Sequence, residues 1–339
     1  MVDVYKKASK LDPHMIGVDW GSTCLRVFLI GTHGEVLATR TSAQGSSSMN
    51  GSAWAYEQSL EQLAGDWLQE YPDIKVLACG MVGSKHGWLE VPYIACPSDV
   101  NAIAARVMSV KGVDHRRFYI VPGMAYRPAN GVPDVMRGEE TQIAGVLSLR
   151  QEASRRSCII LPGTHSKWVQ IEQGKVTALA THMTGELFAI LRQHSVLGRL
   201  MPSQQNELDP IAFLRGVEDA RQGMYLGFSH QMFAVRTLGL MEMMQPSSLT
   251  DYLSGLLIGH EIQAGLGWRL AAGLEQEPLI LVGDPGLCSH YAQALSHCGV
   301  HNASILSNTA PTGLWSIARA IDSVNAGSTS TRIEQKVGT

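Results

Sequence analysis

Apolar runs punctuated by glycine and hydroxyl residues recur along this chain, and they predict strands joined by tight turns. Met15–Ile30 reads as strand, turn, strand, with Gly21-Ser22-Thr23 at the turn, and Gly34 to Ala38 opens a third strand. A second copy of the same plan runs from Cys158 to Ile171, with Gly163-Thr164 at its turn, and continues through Gly174 to Ala178. Two copies of one supersecondary unit point to two related lobes, although any β-meander produces glycine turns at comparable distances.

Helical spacing of apolar residues follows the first copy, in Trp54, Leu60, Leu63, Ala64, Trp67 and Leu68. Lys75–Cys79 then predicts a strand, residues 99–109 a helix, Phe118–Val121 a strand and Glu139–Leu149 a helix. Beyond the second copy, residues 208–245 read as largely helical, Asp251–Leu270 as a long helix, Pro278–Val282 as a strand and 310–322 as a closing helix. Met224, Met232, Met241, Met243 and Met244 fall at helical spacing, which is the usual signature of core. The alternation of strands and helices assigns the chain to the α/β class. Lobes are expected at 15–152 and 153–325.

Composition narrows the function. The 339 residues carry 27 Lys+Arg and 30 Asp+Glu, a formal charge of −3, which argues against a protein built to grip nucleic acid. With 45% hydrophobic residues the chain is globular rather than disordered. Six cysteines at irregular spacing, with no C-x-x-C, indicate neither a disulfide framework nor a zinc site. The leader carries Lys6, Lys7 and Lys10 without an apolar stretch behind them, and no run is long enough to span a membrane. These features predict a cytoplasmic protein and leave its oligomeric state open.

The chemistry concentrates at the turns. Gly21, Ser22 and Thr23, matched by Gly163 and Thr164, offer backbone N–H groups and hydroxyls suited to phosphate oxygens. Asp19 ends the first strand, where a carboxylate could meet Mg²⁺. Lys167 follows the second turn and could neutralise phosphate charge. Neither G-x-x-x-x-G-K-[ST] nor G-x-G-x-x-G occurs. Glu139 and Glu140 open a helix ahead of the second turn, where a carboxylate could take a proton from an acceptor hydroxyl. Acidic residues also simply favour a helix N-terminus, and the sequence does not separate the two readings. The loop from Gly80 through Met81, Gly83, Ser84, Trp88 and Tyr93 suits a small polar ligand, or packs its tryptophan inward. His86 and His165 have no ligand partner at metal spacing and read as hydrogen-bonding residues. Leu279–Leu287 is a strand entering a glycine turn and a helix.

Taken together, these stretches resemble the sugar kinases of the actin, Hsp70 and hexokinase superfamily, most closely the 2-dehydro-3-deoxygalactonokinase family. The resemblance rests on Ile16–Thr23, Gly80–Ser84 with Gly87-Trp88, Val135–Gln142, Pro162–His165 with Lys167-Trp168, Thr184–Leu187 and Leu253–Gly259. It implies two duplicated ribonuclease H-like lobes with a cleft between them, and ATP-dependent phosphorylation of 2-dehydro-3-deoxy-D-galactonate at its 6-hydroxyl. It further implies ATP and Mg²⁺ as cofactors, with Asp19 toward the metal. Nucleotide contacts are implied at Gly21, Ser22, Thr23, Gly163, Thr164, His165, Lys167, Gly283 and Asp284. Glu139 would be the base and Glu140 its reserve, although related kinases use Asp there. The substrate side would comprise Arg26, Met81, Gly83, Ser84, Trp88 and Arg137, with Arg137 leading over Lys85, Arg26 and Arg127 for the substrate carboxylate. Alternatives of the same fold are a kinase of another sugar acid, a nucleotide-switched binding protein and a phosphohydrolase. An acceptor-side carboxylate and cation favour the kinase over the switch.

Overall fold

The computed structural model describes residues 12–112, 116–203 and 208–334, so the lysines of the leader lie outside the described residues. Two compact units emerge, one comprising Met1–Arg150 with Thr309–Thr339, the other Gln151–Asn308.

In the first unit β1 (Pro13–Trp20), β2 (Leu25–Gly31) and β3 (Val36–Ser42) form an antiparallel meander. Helix α1 (Ala53–Glu70) leads to β4 (Lys75–Gly80), which lies parallel to β1. Ser52 caps α1 by accepting the Ala55 N–H, so the helix starts where the sequence offers an oxygen. Next come β5 (Ile94–Ala95), α2 (Val100–Ala104), β6 (Met108–Lys111), β7 (Arg117–Ile120), β8 (Met124–Tyr126), β9 (Asp134–Met136) and α3 (Glu139–Leu149). The main sheet has the order β3-β2-β1-β4-β7-β6, and β5, β8 and β9 make a small separate sheet. Its core combines Val18, Trp20, Val27 and Leu29 with Tyr56, Leu60 and Trp67 of α1.

The second unit repeats the meander in β10 (Arg156–Leu161), β11 (Ser166–Glu172) and β12 (Lys175–His182). Four helices follow, α4 (Thr184–His194), α5 (Pro210–Gln222), α6 (Phe228–Leu240) and α7 (Leu249–Ala271). Then β13 (Leu279–Val282), α8 (Pro285–His297) and β14 (Ala303–Leu306) complete a sheet ordered β12-β11-β10-β13-β14. In both units the first strand is central, the next two run antiparallel away from it, and a parallel strand adds on its other side. That shared order is the ribonuclease H-like plan of the actin/hexokinase-type fold.

Three expectations change. The helix expected over 99–109 stops at Ala104, and Met108–Lys111 pairs antiparallel with β7 instead. Asp99 starts the helix by accepting the Ala102 N–H, but the alternating Met108-Ser-Val-Lys pattern favours a strand. Of the methionines, Met232 is buried while Met224, Met241 and Met243 are exposed, because Gly227 (φ 79°) and the turn after Leu240 take the chain off the helical face. The closing helix α9 (Ala310–Glu334) is longer than expected and belongs to the first unit, not to a lobe spanning 153–325. Its Leu314, Ile317 and Ala318 are buried, with Leu314 against Gly17 of β1. Its Gly313 approaches the Thr141 carbonyl of α3 so closely that a Cβ would lie 1.8 Å from it. Among the described residues no helix is long and apolar enough to cross a membrane, and no group of three or more His, Cys, Asp or Glu could hold a metal ion. The six cysteines are free.

Candidate active site

Register puts the first turn's charges opposite each other. Asp19 pairs with Arg26 across β1 and β2, and Arg26 Nη1 donates to Asp19 Oδ2 at 3.1 Å. Burial raises the Asp19 pKa, and the Arg26 charge and hydrogen bond oppose that rise. Gly21 N–H closes the turn onto the Cys24 carbonyl at 2.9 Å, and Ser22 and Thr23 are exposed. The turn is braced from behind by a segment the sequence did not single out. Ser46 N–H donates to the Gly21 carbonyl and Ser47 N–H to that of Ser22, and a Cβ on Gly45 would lie 2.2 Å from the Ser22 oxygen.

Glycine also lets α3 arrive at this turn. Gly80, at the end of β4, lies in register with Trp20, and Gly138, which precedes α3, would place a Cβ 3.2 Å from the Gly80 Cα. Both adopt positive φ, 89° and 106°, where side chains are strained. Asp19, Gly80 and the Glu139-Glu140 pair thus converge from three distant stretches, and the Cys79 thiol lies 4.0 Å from Asp19 Oδ1. Glu139 is half-buried and its Oε2 accepts the Arg137 N–H at 2.9 Å. Glu140 is fully buried, with Oε2 accepting the Gly138 N–H at 2.7 Å and Oε1 the Thr141 hydroxyl at 3.1 Å. Desolvation, reinforced by the Glu139 charge, pushes the Glu140 pKa up to about 8.

Arg137 projects from the same turn. Its Nη2 donates to the Val91 carbonyl at 2.7 Å and its guanidinium carbon sits 4.3 Å above the centre of the Tyr93 ring. Nε and Nη1 are buried without a hydrogen-bond partner among the described residues. Gly83 makes room for this group, since a Cβ there would lie 2.9 Å from Nη1. Met81 and Ser84 are half-buried beside Gly83, whereas Lys85 and Arg127 are exposed. Trp88 departs from the expected ligand wall. It stacks on Tyr56 at 6.0 Å, tilts against Phe118 at 4.7 Å and packs on the core, so Tyr93 is the aromatic beside the cation.

On the second unit, Lys167 occupies the position that Arg26 holds on the first, second residue of the strand after the turn. It stands opposite Leu161, where Arg26 faces a carboxylate, and it is 5% exposed. A Cβ on Gly163 would meet nothing within 4 Å, so that side of the turn is open to a close approach. The Thr164 carbonyl accepts the Glu186 N–H at 3.0 Å, and His165 Nε2 lies 2.5 Å from Glu186 Oε2. Gly185 is required by this contact, because a Cβ there would lie 2.5 Å from the Gly163 oxygen. Gly283 (φ 143°) sits alongside, its would-be Cβ 3.7 Å from the Pro162 oxygen. Asp284 departs from the expected nucleotide contact in one respect: its Oδ1 accepts the Leu287 N–H and caps α8.

The profile of the 2-keto-3-deoxy-galactonokinase family matches residues 19–317, a span that takes in both turns, Arg137, Glu139 and most of the described chain. The chain belongs to that family. Curated relatives agree. The 2-dehydro-3-deoxygalactonokinase of Escherichia coli (strain K12) is 34% identical over 309 residues, covering 90% of this chain and 98% of that one. The "probable 2-dehydro-3-deoxygalactonokinase DgoK1" of Rhizobium meliloti (strain 1021) is 34% identical over 308 residues, covering 90% and 96%. A crystal structure from Sinorhizobium meliloti, assigned as a 2-dehydro-3-deoxygalactonokinase protein, superposes with a TM-score of 0.79 at 32% identity, covering 91% of this chain and 99% of that one. Membership in the galactonokinase family makes the chain a carbohydrate kinase. Within it, Gly45 carries no local motif, and only its close approach to the Ser22 carbonyl marks it as a brace of the first turn.

Proposed function

We propose that this chain transfers the γ-phosphoryl group of ATP to the 6-hydroxyl of 2-dehydro-3-deoxy-D-galactonate. The observation that carries the reading is the turn Arg137-Gly138-Glu139, which presents a guanidinium with two unpartnered buried N–H-bearing nitrogens beside a half-buried carboxylate. A sugar acid needs both a cation for its carboxylate and a base for its hydroxyl.

Arg137 would hold the substrate carboxylate, its planar fork suited to a bidentate pair, with Gly83 keeping the space and Tyr93 the orientation. Met81 and Ser84 would line the same loop. Glu139 would accept the proton of the attacking hydroxyl as its oxygen bonds to phosphorus and the bond to the ADP oxygen breaks. Glu140, buried and protonated at neutral pH, is poorly suited to that task. Arg26, held by Asp19, would help fix the first turn rather than bind the acid. Ser22 and Thr23 with the turn amides, and Gly163, Thr164 and Lys167 on the second unit, would meet phosphate oxygens. His165, tied to Glu186, would brace the second turn, and Gly283 would border the nucleotide.

A single buried carboxylate, Asp19, fits a Mg²⁺ ion that arrives with the nucleotide and keeps waters and phosphate oxygens as its other ligands. When bound, that ion would neutralise charge on the transferring group. The need for ATP puts the proposed reaction in the cytoplasm.

The test is ADP release from MgATP with and without 2-dehydro-3-deoxy-D-galactonate, beside gluconate and galactonate. Release stimulated by the keto acid alone is expected. Stimulation by a control acid would keep the kinase and discard the substrate, and release indifferent to every acid would point to a hydrolase or a switch.

A further inference from the structure

Helix α7 buries a carboxylate that no step above uses. Glu261 is 3% exposed, and four side-chain donors converge on it from three other elements. Oε1 accepts Ser166 Oγ–H at 2.6 Å and Trp168 Nε1–H at 2.9 Å, both from β11. Oε2 accepts the Thr184 hydroxyl, at the start of α4, and Tyr291 O–H of α8 at 2.6 Å. Two carboxylate oxygens offer about four acceptor positions, so four donors use that capacity fully. Burial and the neighbouring carboxylate push the Tyr291 pKa well up, which keeps its hydroxyl a donor.

The attachment of those donors is the informative part. Ser166 is the residue between His165 and Lys167. Thr184 precedes Gly185 and Glu186, the two residues that press on Gly163 and Thr164 and bond to the Thr164 carbonyl and His165. One carboxylate therefore holds both walls of the second turn, while Trp168 and Tyr291 fasten it to the core; the Trp168 ring lies within 2.4 Å of where a Gly265 Cβ would stand. We propose that Glu261 is the positioning residue of the nucleotide side: through Ser166 and Thr184 it sets the Pro162–Lys167 turn for the phosphates of ATP. This rests on the proposed assignment of that turn to nucleotide phosphate.

Steady-state kinetics with both substrates varied, together with calorimetric titration of ADP and Mg²⁺, tests it in full-length variants. Glu261→Gln should raise the KM for ATP and the Kd for ADP about tenfold, leaving the KM for the sugar acid within about twofold. Should that variant fail to fold, the single-donor variants keep the question open to test. Ser166→Ala and Thr184→Val should weaken nucleotide binding by about threefold or more, whereas Tyr291→Phe, whose donor is not attached to the turn, should lower Tm but leave nucleotide binding within about twofold. If all three single variants lower Tm alike and none weakens ADP binding, or if both KM values move together, Glu261 is a structural anchor and the inference fails. Lys167→Met separates the premise from the inference. If it leaves ADP binding unchanged, the turn does not hold phosphate and the site assignment itself is wrong.

Discussion

Glu139 and Glu140 are chain neighbours in contrasting surroundings. Glu139 is half-buried and reachable, and removing its negative charge while keeping its shape should cost turnover rather than nucleotide binding. Glu139→Gln should lower kcat by about 10²–10⁴ with ADP affinity unchanged. A variant turning over at the normal rate would move the base elsewhere. Glu140 instead titrates as a buried acid, with a folded pKa of about 8 against an ordinary 4.5. The folded state then holds a proton that the unfolded chain releases. The stability this contributes is complete below the ordinary pKa and is lost as pH rises through about 8. Glu140→Gln, which mimics the protonated acid, removes that dependence. Between about pH 5 and pH 8 the wild-type Tm should therefore fall relative to the variant's. A difference in Tm that stays constant across that range would show that Glu140 is ionised in the folded protein.

At the scale of elements, two glycines let a helix or loop approach a turn, and each belongs to a different unit. Gly185→Ala would push α4 away from the Gly163 carbonyl, and Gly83→Ala would displace the Arg137 guanidinium. The first should raise the KM for ATP and the second that for the sugar acid, each by about tenfold, with the other constant little changed. Kinetics in which both substitutions weaken the same substrate would contradict the division. These close approaches also explain what the sequence could and could not reveal. The two strand-turn-strand units were legible because glycine, hydroxyl and apolar residues lie within a few positions of one another. The acidic opening of α3 was legible for the same reason, although not which glutamate stays accessible. The sequence left Trp88 between a ligand wall and inward packing because its partners, Tyr56 and Phe118, lie far along the chain. Glu261 gave no signal at all: its four donors come from β11, α4 and α8, and only folding brings them to one point. The helix expected over 99–109 is present as α2 but runs too far for a different reason, since five helical residues are too few for a 3.6-residue period to mark where the helix ends and β6 begins.

For the whole molecule, the route of the chain decides which part depends on which. It leaves the first unit after Arg150, builds the second as one continuous segment to Asn308, and returns as α9. The second unit has its own cores, one around Trp168, Ile262 and Tyr291 and another around Val235, Leu253 and Leu256. The first unit is finished only when α9 covers Gly17 and α3. Burying Leu314 and Ile317 alone is worth about 1.5–3 kcal/mol each, and a domain's net stability is only about 5–15 kcal/mol. Deleting residues 309–339 also uncovers the apolar surface beneath the helix, so the first unit should unfold while the second persists. Calorimetry of the truncated chain should then show one cooperative transition, matching that of residues 151–308 expressed alone. Loss of every transition would mean that the second unit cannot stand without the first. A melt like that of the full chain would mean that α9 contributes little, which its buried face and the Gly313–Thr141 approach argue against.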